Sequence, residues 1–115
     1  MNEEIARYNL TTSKLRIYIS GPMTGIKDFN YPEFHRTAKR LREAGFDVVS
    51  PAELHTDTDK DWTYYMRGAI AAMMDCQIIY MLIGWSSSRG AKLELDLAEQ
   101  LGFGVVYEAD QIPTT

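Results

Sequence analysis

The chain of 115 residues carries a single cysteine, Cys76, and only two histidines. One cysteine excludes an internal disulfide and fits a reducing compartment. Its flanks, Met74-Asp75 and Gln77-Ile78-Ile79, put it at a helix-to-strand junction. A buried structural thiol is the expectation there, not a nucleophile, because no histidine stands near it in sequence. The scattered histidines and cysteine give no zinc-ligand spacing, and neither a metal nor an organic cofactor is expected. No hydrophobic run approaches the length of a membrane span, and the N-terminal Met1-Asn2-Glu3-Glu4 is acidic, unlike a signal peptide. A cytoplasmic location without membrane partners is therefore expected. Excess positive charge is also lacking: 12 Lys and Arg stand against 16 Asp and Glu, for a net charge of −4. Such a balance provides no field for a nucleic-acid polymer. The basic group Arg36, Lys39, Arg40 and Arg42 falls at helical spacing among acids and reads as a solvated helix face.

What is present is ordinary for one globular domain: 45% hydrophobic and 24% charged residues, without repeats or low-complexity tracts. Residues 1–13 are polar and weakly patterned, an arm or a short helix. Residues 14–110 form the domain, and 111–115 a tail. Leu15 to Ser20 is apolar enough for a central strand. Tyr31-Pro32-Glu33 opens a helix that Gly45 stops, and Phe46 to Pro51 is a short second strand. His55 to Asp61 is a polar loop, whose Asp57, Asp59 and Asp61 read as solvated or helix-capping because no calcium-loop glycine accompanies them. Trp62 to Met74 is a helix with Trp62, Met66, Ala69, Ile70 and Met73 on one face. Gln77 to Ile83 is a third strand, Ala91 to Leu101 a third helix, and Phe103 to Tyr107 a fourth strand.

This alternation predicts an α/β fold: a Rossmann-like, three-layer domain with a four-stranded parallel sheet of order 2-1-3-4 and helices on both faces. Ligands of such sheets bind at the carboxyl ends of the strands, where the strand order reverses. The switch point falls between the first and third strands. The two oddest loops, 21–28 and 84–90, follow those two strands.

The turn Gly21-Pro22-Met23-Thr24-Gly25 has two readings. Glycine at a strand end permits positive φ and close approach of backbone to a ligand. The turn is neither a phosphate loop, lacking Gly-Lys-Ser/Thr, nor a dinucleotide fingerprint, since Pro22 removes a donor. A rigid corner explains it equally well.

Glu94 is the sharper feature. On a helical wheel Leu93, Leu97, Leu101 and Ala98 define an inward face, with Leu95 on the exposed side, and Glu94 falls inside that arc. A carboxylate there is costly unless it is paired or opens into a polar crevice. A hydrogen bond to a neighbouring loop is the bland alternative. Tyr18, Ser20, Arg67, Trp85, Ser88 and Arg89 are candidates to supply polar or stacking groups to the same crevice, Arg67 by binding an anion or pairing with Glu94.

The stretches "YISGPMTG", "NYPEF", "AGFDVVSPAE", "WTYYMRGAIAAMMDC" and "LIGWSSSRGAKLELDLAEQLG" resemble an uncharacterised family of small phage- and prophage-borne proteins. That family is similar to a compact nucleoside 2-deoxyribosyltransferase or nucleotide N-glycosidase. The resemblance implies that residues 21–25 line a substrate pocket. It also implies that "GAKLELDLA", through Gly90, Glu94, Leu95 and Ala98, carries the nucleophile, Glu94. The implied ligand is a nucleoside or nucleotide, and the implied assembly a homodimer or larger homo-oligomer whose neighbouring subunit completes the site.

One departure stands out. The enzymes carry an aspartate on the helix before the third strand, yet no carboxylate lies between Trp62 and Met74, and Gln77 stands where a second is often found. The expected activity is cleavage or transfer of an N-glycosidic bond. A nucleotide-binding or sensing module without turnover is the main alternative. A phage interaction protein, using Leu95 and the Met-rich second helix as a surface, is another.

Overall fold

In a computed structural model, which describes residues 15–54 and 60–111, the chain forms the alternating α/β arrangement its patterning predicts. Strand β1 (Arg16–Ser20) leads through a 3₁₀ turn (Lys27–Asn30) into α1 (Tyr31–Glu43), then β2 (Asp47–Val49). After a second 3₁₀ turn (Pro51–Glu53) come α2 (Trp62–Met73), β3 (Ile78–Met81), α3 (Arg89–Gln100) and β4 (Gly104–Tyr107). The proposed arm at residues 1–13, most of the loop at 55–59 and the tail beyond 111 lie outside the described residues.

The sheet has the order β2-β1-β3-β4, and every pairing is parallel. Tyr18 stands opposite Val49 on one side and Ile79 on the other. Right-handed crossovers dictate the layering. The step from β1 to β2 runs one way along the sheet, and the steps to β3 and β4 run the other way. Helix α1 therefore covers one face, with Phe34, Ala38 and Leu41 against Ile17, Ile19, Tyr80 and Leu82. Helices α2 and α3 cover the opposite face, with Ala69, Met73, Ala91, Leu95 and Ala98 against Tyr18, Ile79 and Met81. None of the helices among the described residues is long and apolar enough to cross a membrane.

The inward face of α3 differs from its wheel. Ala91, Glu94, Leu95 and Ala98 are buried, whereas Leu93 and Leu101 are 36% and 57% exposed. The helix is rotated by about a quarter turn from the leucine-centred arc. The reason is close packing: Ala91 and Ala98 let α3 settle onto the sheet, where leucines at those positions would hold it off. Leu95, expected on the exposed side, is only 7% exposed and cannot form a docking surface. Glu94 stays on the buried side in both arrangements, now beside Ala91, Leu95 and Ala98.

Helix α3 also starts two residues earlier than its apolar periodicity indicates, at Arg89. The Ala91 N–H donates to Ser88 Oγ at 3.1 Å, a side-chain cap on the first turn. Asp61 does the same for α2, accepting from the Tyr64 N–H at 2.9 Å.

Candidate functional site

Alternation along β1 sends Tyr18 and Ser20 to the same face of the sheet, the face that α3 covers. Both are completely buried. The Tyr18 hydroxyl donates to Glu94 Oε2 at 2.7 Å, and the Ser20 hydroxyl donates to Glu94 Oε1 at 2.6 Å. Each carboxylate oxygen thus receives one hydroxyl from the last residues of a central strand. Two fixed donors set both the position and the plane of the carboxylate.

Glu94 is 5% exposed, and that remaining surface opens onto a cavity of about 700 Å³ at the carboxyl ends of β1 and β3. The volume lies within the usual range for small-molecule sites. Burial pushes Glu94 up to about 7, against the pull of the Ser20 and Tyr18 hydrogen bonds, which favour the charged form. Tyr18 is raised well above its usual value, by burial first and then by the neighbouring Glu94 carboxylate. It is a hydrogen-bond donor at any ordinary pH.

Among the residues singled out from sequence, Gly21, Pro22, Met23, Thr24, Ser88, Arg89, Gly90 and Glu94 line this one cavity. Tyr18 and Ser20 lie behind Glu94 and hold it. Gly25, with φ +81 and open space around it, stands outside the wall. Arg67 is exposed in a separate shallow groove with Asp61, Thr63 and Tyr64. It faces away from Glu94, whose partners are hydroxyls. Trp85 packs on Tyr107, ring centres 5.8 Å apart, and also lies outside the cavity.

The two glycines that line the wall serve packing. Gly21 lacks the positive φ that a strand-end glycine permits; a Cβ there would lie 2.8 Å from Leu82 Cβ. A Cβ on Gly90 would lie 2.9 Å from Met66 Sδ, so glycine lets the start of α3 close against α2. Positive φ falls on Gly25 at the other end of the turn and, without glycine, on Asp28, Phe29 and Asn30, at 55°, 54° and 63°. This left-handed run places Phe29 on the cavity wall and is tied down by Asn30 Nδ2, which donates to the Pro22 carbonyl at 3.0 Å.

The remaining wall was not legible as a site. Trp62, Met66 and Ala69 of α2 line it, although their spacing reads as a core stripe, and Tyr65 joins them. Lys60 adds positive charge to that of Arg89, and Glu94 is the only acidic wall residue among the described ones. Cys76 plays no part: it is buried away from the cavity, and burial raises its thiol to about 11. Among the described residues, no three His, Cys, Asp or Glu side chains converge as a metal site requires.

Fold and site together define a parallel α/β domain with a hydroxyl-held carboxylate at its topological switch point. Residues 15–107 match the model of a family described as Domain of unknown function (DUF4406), and the chain belongs to that family. No curated protein matches the chain.

Proposed function

We propose that the protein cleaves or transfers the N-glycosidic bond of a nucleoside or nucleotide, with Glu94 as the nucleophile. The observation that carries this reading is the placement of Glu94: buried, held through both oxygens, and facing a cavity of about 700 Å³. A carboxylate that serves only the fold has no need of an open face on a cavity. The resemblance of "YISGPMTG" and "GAKLELDLA" to the deoxyribosyltransferases and N-glycosidases, and of the whole domain to a phage-borne family, supports the same reading.

The proposed reaction has two steps. A Glu94 oxygen attacks the anomeric carbon while the bond from that carbon to the base nitrogen breaks. The electron pair leaves with the base, which takes a proton, and a glycosyl ester forms on Glu94. Water or a second base then attacks the same carbon, gives up a proton to solvent and releases the carboxylate. The hydroxyls of Tyr18 and Ser20 keep the free oxygen pair oriented before attack and after release. With no second carboxylate on the wall among the described residues, the proton reaches the departing base from solvent, or from a neighbouring subunit in a homo-oligomer.

That same absence favours a second reading, a nucleotide-binding module without turnover. One experiment separates the two. Deoxynucleosides, nucleoside 5′-monophosphates and NAD are incubated with the protein, free base is followed by chromatography, and binding is measured by calorimetry. Release of base supports the enzyme, binding without release supports the module, and the absence of both release and binding rejects both.

A further inference from the structure

The Arg89 guanidinium lies over the face of the Trp62 ring, its central carbon 3.7 Å from the ring centre. Both residues line the cavity, Trp62 at the first position of α2 and Arg89 at the first position of α3. For Arg89 this is an awkward place. A helix N-terminus carries partial positive charge and disfavours a cation, and the first turn of α3 holds no acid. No carboxylate pairs with Arg89 among the described residues. It is exposed to solvent, and no part of the core rests on it.

Trp62 is held differently. It stands in the first turn of a helix capped by Asp61 and is half-buried, its Nε1 edge beside Gly90. One partner of the stack is half-buried against its neighbours, and the other is exposed. A guanidinium is planar and delocalised and takes up the stacking position an aromatic heterocycle would use. Tyr65, Phe29 and Met66 continue the same apolar wall.

We propose that Trp62 is the platform for the ligand's nucleobase and that Arg89 is a placeholder the base displaces. This rests on the reading of the cavity as a nucleoside or nucleotide site, and adds which wall receives the base. Stacking on an aromatic side chain accepts any base, so Trp62 supplies affinity for the base as a class, with little choice among bases.

The chain has two tryptophans, so Trp85→Phe leaves Trp62 as the only one. That variant is titrated with adenosine and thymidine 5′-monophosphates, and with ribose 5-phosphate as a base-free control. The expected result is saturable quenching of Trp62 emission by the monophosphates, coincident with the calorimetric isotherm, and none by ribose 5-phosphate. In parallel, Trp62→Leu weakens monophosphate binding by about tenfold or more, and Trp62→Phe retains most of it. Monophosphate binding with unchanged Trp62 emission overturns the platform. So does base release by Trp62→Leu at the wild-type rate and KM, which leaves the glycosidic reading standing. Failure of every probe to bind the wild-type protein overturns both.

Discussion

The Tyr18 hydroxyl donates to Glu94 Oε2 across 2.7 Å, and neither side chain is more than 5% exposed. Strand β1 and helix α3 are joined at that point by a hydrogen bond to a group that burial drives up to about 7. If Glu94 reacts as the carboxylate, base release must rise with pH through about 7 and then level off. Removing the donor with Tyr18→Phe takes a hydrogen bond of about 1.5–3 kcal/mol from the charged form. The rising limb then moves upward by about one to two pH units. A pH–rate profile of both proteins checks this, and an unmoved limb contradicts it.

The same raised value makes Glu94 a liability for stability. The folded state keeps a proton that the unfolded chain, with its ordinary value of 4.5, has already lost. Between 4.5 and about 7 the native state therefore binds more protons, and stability falls as pH rises. The loss is on the order of 3 kcal/mol, complete above about 7 and absent below 4.5. Glu94→Gln removes it. Denaturant unfolding should show the variant more stable than wild type at pH 8, with the advantage shrinking toward pH 4.5.

Two glycines should respond differently to the same substitution. In Gly21→Ala the new methyl meets Leu82 Cβ at 2.8 Å, an atom fixed to the backbone of the strand end. Destabilisation of about 1–3 kcal/mol is expected. In Gly90→Ala it meets the sulfur of Met66 at 2.9 Å, the far end of a flexible chain. Helix propensity offsets part of that cost, and the net change should stay within about 1 kcal/mol. Thermal denaturation ranks the two.

The parallel sheet could be read from strand–helix alternation, and its order β2-β1-β3-β4 is the simplest one that puts helices on both faces. Glu94 could be found because a carboxylate among apolar residues at helical spacing needs a reason. Its true setting was hidden: the wheel weighted leucines, whereas the alanines at 91 and 98 decide which side of α3 touches the sheet. The partnership with Tyr18 and Ser20 was within reach, since period-two alternation puts both on one face. The aromatic wall was not, because Trp62, Met66 and Ala69 share a spacing that serves core and cavity alike. Nor was the left-handed run at Asp28–Phe29–Asn30, which contains no glycine.

That run makes its own prediction. Phe29 is 49% exposed with φ 54°, so the backbone at this position carries more cost than the ring repays through packing. Phe29→Ala and Phe29→Gly lose the same ring and differ only in backbone freedom. At positive φ glycine should be the more stable of the two by about 1 kcal/mol, the reverse of the usual order. Urea denaturation of the pair decides it.

The account stands most directly on base release by wild type against Glu94→Gln, measured side by side at pH 8 with nucleosides and nucleoside 5′-monophosphates. Glutamine preserves the size of the side chain and an acceptor for one of the two hydroxyls of Tyr18 and Ser20, and removes the nucleophilic carboxylate. The predicted result is free base from the wild-type protein on at least one substrate, and a fall of about a thousandfold or more in the variant. Equal release by the two proteins, or none by either, contradicts the account.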